Sequence, residues 1–144
     1  MDEIDRQIVA VLERDARKSY GEIGKLVGLA ASSVHERVRK LERRGAIRGY
    51  RAELDFDEVG LPITAFVSLA LRAASPTEIP ARVAEFPMVE SCYSVAGDNS
   101  YLLIVRAPTT RDLEELLDAL RSKLEVVTKS TIVLSTPFER RPRL

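Results

Sequence analysis

The sequence predicts a two-part α+β chain, with three short helices followed by four strands and two helices in the order β-α-β-β-α-β. Three observations carry this. Apolar residues recur at helical spacing from Ile4 to Leu41, broken by helix start and stop signals. From Ile63 the spacing changes to strict alternation, as Ile63, Ala65, Val67, Leu69 and Leu71. Near the end, a leucine stripe at helical spacing (Leu113, Leu116, Leu117, Leu120, Leu124) separates two strand-like runs.

In the first part, Asp2 is placed to cap a helix carrying Ile4, Ile8, Val11 and Leu12. Ser19 and Glu22 form a capping box for a second helix, with Ile23, Leu26 and Val27 on its inner face. Gly28 suits the left-handed position that ends it. A third helix, residues 31–44, follows with Val34, Val38 and Leu41 inward, and Gly45 stops it. Gly24 lies mid-helix, where a second helix could cross closely. Two helices joined by so short a turn form a helix-turn-helix, and the second projects from the surface.

The outward positions of that third helix are Ser32, Ser33, His35, Glu36, Arg39, Lys40 and Arg43. Such groups meet phosphates and base edges in the major groove of double-stranded DNA. Residues 46–54 read as an extended strand, a wing from which Arg48 and Arg51 reach the same duplex. With Arg37, these are the candidate DNA-binding residues. A plain three-helix bundle with a polar outer face is the competing reading.

Charge distribution supports the DNA reading better than total charge does. The chain has 22 Lys and Arg against 22 Asp and Glu, so it is neutral. Residues 1–54, however, carry 12 basic against 9 acidic side chains. Between Arg37 and Arg51 there are seven basic residues and one acid, Glu42, a local stripe of the kind phosphates attract. With one cysteine, Cys92, an internal disulfide is impossible. The acidic start Met1-Asp2-Glu3 lacks the character of a secretory signal, and no apolar run is long enough for a membrane span. The expectation is a cytoplasmic protein without a membrane partner.

Residues 55–62 break the periodicity, with Gly60 and Pro62 as punctuation, and are expected to link a domain at 1–54 to one at 63–144. After the first strand, a short helix starts at Thr77, with Ile79, Val83 and Phe86 inward and Pro80 in its first turn. Strands follow at Val89 to Ala96 and Ser100 to Ala107, joined by a Gly97-Asp98-Asn99 turn. Thr109 or Thr110 caps the leucine-striped helix, and Val126 to Ser135 is the last strand. This order is that of a ferredoxin-like βαββαβ sandwich, an antiparallel sheet with both helices on one face. The strands carry apolar or aromatic residues on both parities (Phe66, Tyr93, Tyr101, Ile104), so self-association through the bare face is expected.

These residues resemble the Lrp/AsnC (leucine-responsive and asparagine-linked) regulators of bacteria and archaea, essentially end to end. The first part carries the resemblance through Ile4-Asp5, Ile8, Leu12, Asp15-Ala16-Arg17, Gly28-Leu29, Ser32, Val34, Arg37-Val38, Leu41-Glu42, Gly45, Ile47 and Gly49-Tyr50. The second part does so through Gly97-Asp98, the apolar strand after it and the leucine-rich helix. The resemblance implies a winged helix-turn-helix transcription regulator with a sheet domain for assembly. It also implies homodimers, often four in a ring as an octamer, and control by a small-molecule effector, commonly an amino acid. In the family, ligands sit near the hairpin loop, so Gly97, Asp98, Asn99 and Ser100 are the candidate effector-binding residues. Two positions depart from the pattern. Ala30 stands where the family usually has a capping Ser or Thr, so either Ser32 takes over or the helix start is weaker by about 1 kcal/mol. Ser100 stands where many members have an acidic residue.

An enzyme on the sheet domain, or a protein-interaction module with an appended winged helix, is the rival reading. His35 is the only histidine and lies on the third helix, so neither a metal site nor a His-paired Cys92 nucleophile is available. Cys92 reads as a small buried apolar residue. Asp112, Glu114, Glu115 and Asp118 read as the wet face of the leucine helix. No catalytic residue, cofactor or metal is expected.

Overall fold

The structure, a computed structural model, describes residues 1–139. The end of the domain expected over 63–144 lies outside the described residues. Two compact units are present, one of residues 1–53 with 137–139 and one of residues 54–136.

The first unit contains α1 (Glu3–Arg14), α2 (Tyr20–Val27) and α3 (Ala31–Arg43). The expected Asp2 cap and Ser19–Glu22 capping box both form, and the first is itself a capping box. Asp2 accepts the Asp5 amide while Asp5 accepts the Asp2 amide, and Ser19 and Glu22 do the same for α2. The core is Ile8 and Leu12 of α1, Ile23 of α2, and Val34, Val38 and Leu41 of α3. Leu26, expected inward, is 62% exposed. The inner face of this two-turn helix is filled by Ile23 and Val27, and Leu26 is rotated off it.

The expected wing strand over 46–54 does not form, and those residues are irregular. Ala46 and Ile47 both donate their amides to the Leu41 carbonyl at 2.9 and 3.1 Å, which wraps the chain back around the end of α3. A strand needs a partner for its own amides and carbonyls, and none of the described residues of this unit supplies one.

The second unit contains β1 (Ile63–Ala70), α4 (Ile79–Val83), β2 (Val89–Ser94), β3 (Tyr101–Ala107), α5 (Thr110–Leu124) and β4 (Val127–Ile132). The four strands form one antiparallel sheet in the order β2-β3-β1-β4. Ala65, Val67 and Leu69 of β1 and Leu103, Val105 and Ala107 of β3 face the helices and are fully buried. Against them pack Ile79 and Val83 of α4 and Leu113, Leu116, Leu120 and Leu124 of α5. Phe66, paired with Ile104 in register, and Tyr93, paired with Leu102, lie on the opposite face and are 41% and 51% exposed.

Several boundaries differ from expectation. The helix expected to start at Thr77 is a single turn that begins after Glu78 without a side-chain cap, with Pro80 in its second position. Ser75 makes no cap. Its hydroxyl accepts the Arg72 amide and donates to the Glu125 carbonyl, both at 2.8 Å, tying the end of β1 to the end of α5. β2 stops at Ser94 and β3 starts at Tyr101, so the hairpin loop is 95–100 rather than a tight turn. The last strand ends at Ile132. Cys92 is exposed, on β2 at the edge of the sheet. Residues 56–60 form a turn closed by Gly60 (φ 78°), with Asp55 accepting the Asp57 and Glu58 amides at 3.0 and 3.3 Å.

Candidate nucleic-acid interface and effector loop

The approach from α2 into α3 is set by backbone contact. Gly28 adopts the left-handed conformation (φ 72°, ψ 33°), and its amide and that of Leu29 both donate to the Gly24 carbonyl. A Cβ on Gly24 would lie 2.4 Å from the Leu29 carbonyl oxygen. Gly24 is therefore needed for the turn itself, not for a helix crossing. The chain then enters α3 through Ala30, which has N-cap geometry (φ −67°, ψ 149°) and no side-chain cap. Ser32 does not take the role over, since the helix has already begun at Ala31.

Contacts within the unit sort the polar side chains of α3 into three sets. On the flank toward α1, Arg37 Nη1 donates to Asp2 Oδ2 at 2.7 Å and to Asp5 Oδ1 at 2.8 Å. Arg44 adds a longer contact to Asp5 at 3.5 Å. The Arg37 guanidinium is held further above its usual range by Asp2 and then Asp5. Asp2 falls below the usual carboxylate range, first through the Asp5 amide and then through Arg37. Arg37, a DNA-contact candidate from sequence, is thus the clamp that fixes α3 to α1.

On the opposite flank, the Tyr20 ring lies 5.2 Å from that of His35, tilted by 42°. Tyr50 Oη donates to Glu42 Oε1 at 2.9 Å. Burial, helped by Glu42, pushes the Tyr50 phenol up to about 12. Nothing in the sequence signals the Tyr20–His35 and Tyr50–Glu42 contacts, because each crosses a turn that periodicity does not describe.

Between the flanks lies the outward face. Ser32, Ser33, Glu36, Arg39, Lys40 and Arg43 are exposed and, among the described residues, make no side-chain hydrogen bond or ion pair. Ser32, Glu36, Arg39 and Arg43 follow one another at helical spacing along its centre. Arg48 and Arg51 are exposed on the irregular segment that Tyr50 draws back to α3.

In the second unit, the loop expected to hold an effector is closed by Val95 donating to the Ser100 carbonyl at 3.1 Å. The Ser100 amide donates to Leu69 at 2.8 Å, anchoring the loop to β1. Gly97 (φ 133°) and Asp98 are exposed; Asn99 and Ser100 are half-buried. The space where a Gly97 Cβ would lie is open. A cavity of about 460 Å³ lies elsewhere, against Phe56, Leu61, Met88, Glu90, Arg106 and Pro108. This is the far end of β3, roughly 20 Å from Ser100 at strand rise. Arg106, 8% exposed, donates Nε to Glu90 at 2.7 Å and Nη1 to Thr64 at 2.6 Å, with Phe56 stacked 3.9 Å from the guanidinium carbon. This cluster was not foreseen; its one signal was an arginine inside the apolar run Tyr101–Ala107.

Among the described residues no group of His, Cys, Asp and Glu could hold a metal ion, and no helix is long and apolar enough to cross a membrane.

A helix-turn-helix with an unpartnered basic face, joined to an α/β sheet unit, defines a two-part regulator. Comparison with known proteins specifies which kind. Residues 1–42 match the AsnC-type helix-turn-helix domain, and residues 64–143 match the Lrp/AsnC ligand binding domain. The HTH-type transcriptional regulator LrpA of Mycobacterium tuberculosis is 42% identical over 145 residues, covering 100% of this chain and 97% of that protein. A feast or famine regulatory protein from M. tuberculosis, solved in complex with L-methionine, is 43% identical with a TM-score of 0.93, covering 97% of this chain and 96% of that one. A transcriptional regulator from Neisseria meningitidis, also solved with L-methionine, is 26% identical with a TM-score of 0.89, covering 96% and 93%. The chain belongs to the Lrp/AsnC family of transcriptional regulators.

Proposed function

We propose that α3 reads double-stranded DNA in the major groove through Ser32, Ser33, His35, Glu36, Arg39, Lys40 and Arg43, with Arg48 and Arg51 on the adjoining backbone. The observation that carries this is the partnering pattern of α3. Both flanks are tied down, by Arg37 to α1 and by His35 and Glu42 to tyrosines, whereas the outward groups are left without partners. A rigid helix offering unsatisfied donors is what base readout requires.

The second unit takes an amino-acid effector at Gly97, Asp98, Asn99 and Ser100 and assembles the chain through its bare sheet face. The open approach at Gly97 supports the first, with Asp98 as acceptor for an ammonium group and loop amides as donors for a carboxylate. The methionine complexes of two relatives give the ligand class. Phe66 and Tyr93, exposed on a sheet face without helices, support a homodimer, and assembly of four such dimers is the octameric form of it. Effector and DNA are then coupled by their differential affinities for two assembly states, typically about 5- to 150-fold.

The test is duplex binding over a range of salt, with and without L-methionine. Arg39→Ala with Lys40→Ala weakens binding and flattens the salt dependence, while Gly97→Phe abolishes the response to amino acid and leaves binding intact. Unchanged affinity and slope in the first variant refute the DNA face. An unchanged methionine response in the second moves the effector site off the loop.

A further inference from the structure

We infer that Glu36 selects a cytosine in the bound duplex, its carboxylate accepting a hydrogen bond from the exocyclic amino group in the major groove. This rests on the DNA reading of α3 proposed above and goes beyond it by assigning one residue a base.

Glu36 is the only acidic side chain on the outward face, at the centre of the line Ser32, Glu36, Arg39, Arg43. Its surroundings are cationic, with Arg39 one turn on, Lys40 four residues on and Arg43 beyond. A glutamate four residues before a lysine is the favourable order for a helical ion pair. No such pair forms. Among the described residues Glu36 has no hydrogen-bond or salt-bridge partner, in contrast to Glu42 on the same helix, which Tyr50 holds.

A free carboxylate at the centre of a phosphate-binding face weakens binding to every duplex unless it meets a donor. The backbone supplies none, since phosphate oxygens only accept. The major-groove edges supply two, the amino groups of cytosine and of adenine. Adenine presents its amino group beside the N7 acceptor, a pair that suits an amide and sets a lone pair against the second oxygen of a carboxylate. Cytosine presents the amino group without an adjacent acceptor, and so fits an acid. Arg39, on the same line, supplies the donors that guanine O6 and N7 take. Glu36 also acts by exclusion: at any other base its charge is desolvated without a partner, so discrimination arises from the wrong sites as much as from the right one.

The experiment is selection of duplexes from a pool with a randomised core, with the full chain as wild type, Glu36→Gln and Glu36→Ala. Glu36 is exposed and touches no core residue, so the variants keep the fold; thermal unfolding checks this. The wild type enriches cytosine at one position of the half-site, by roughly 5- to 150-fold over the other bases. Glu36→Gln moves that position toward adenine, which an amide pairs bidentately, and leaves the other positions alone. Glu36→Ala relaxes the same position and tightens binding to unrelated duplexes. If the wild type selects a motif and both variants select the same one at every position, Glu36 reads no base and the inference is overturned while the DNA reading stands. If the wild type retains no duplex from the pool, both fall together.

Discussion

Replacing glycine by alanine inside a helix ordinarily stabilises it by about 1 kcal/mol, and α2 offers two glycines at which that rule should give opposite results. At Gly21 a new methyl would meet only the Ser19 hydroxyl, 4.0 Å away, so Gly21→Ala gains up to about 1 kcal/mol. At Gly24 the methyl would lie 2.4 Å from the Leu29 carbonyl oxygen and 3.4 Å from its carbon. That obstacle is backbone, pinned by the left-handed Gly28 and by the 2.9 Å bond from the Leu29 amide to the Gly24 carbonyl. Making room displaces the turn by about half an ångström or more, at an overpacking cost of roughly 1–3 kcal/mol plus about 1 kcal/mol for the weakened turn bond. Against the helix-propensity gain, Gly24→Ala is destabilising by roughly 1–3 kcal/mol, and the two variants differ by about 2–4 kcal/mol. Amide exchange across α2 and α3, with thermal unfolding of the whole chain alongside, measures the difference. A Gly24→Ala protein as stable as Gly21→Ala would show that the Leu29 carbonyl does not press on α2. The close-packed turn would then not be what aims α3.

Two further outcomes follow from the same unit. Ala30→Ser places a hydroxyl where the backbone already has N-cap geometry, and should stabilise the start of α3 by about 1 kcal/mol. It is read as slower exchange of the Ser32 and Ser33 amides, and unaltered exchange would mean those amides already have acceptors. The Tyr50 phenol, raised from 10.0 to about 12, favours its neutral form in the folded chain. Its contribution to stability is complete below pH 10 and is lost as the pH rises from 10 to about 12, because the unfolded chain ionises first. Ultraviolet titration should show a late phenol ionisation that Tyr50→Phe removes; if that substitution leaves the titration unchanged, Tyr50 is neither buried nor held by Glu42 as described.

What the sequence disclosed depended on the range of the interaction. The Asp2 cap and the Ser19–Glu22 capping box were legible because each closes over three residues, and the order of elements along the chain followed from local alternation and turn residues. Family-level likeness was legible because glycine, apolar and basic positions recur at fixed spacing across both parts. The tie of Arg37 to α1 was not legible because its partners lie 35 and 32 residues away, and a basic residue in a basic run gives no local sign of being an internal clamp. Cys92 was expected inside because it lies mid-strand with no histidine to pair it, but position within a strand cannot say that the strand is an edge. The wing was expected from composition alone, and a strand also needs a neighbour. Gly24 was noticed for its size, yet its reason, a carbonyl five residues ahead, belongs to the turn's three-dimensional path.

The strand order carries a consequence for how the chain is made. β1 pairs on one side with β3 and on the other with β4, whose residues leave the ribosome more than fifty positions later. The sheet therefore cannot be completed until β4 has been made, whereas the core of the helical unit closes among residues 4–47. Contacts of short sequence separation form fastest, and domains fold as units from the N-terminus during translation. Each nascent chain thus presents a finished α3 while the sheet still lacks its β4 edge. Order of appearance alone puts the helix-turn-helix ahead of the ligand binding domain.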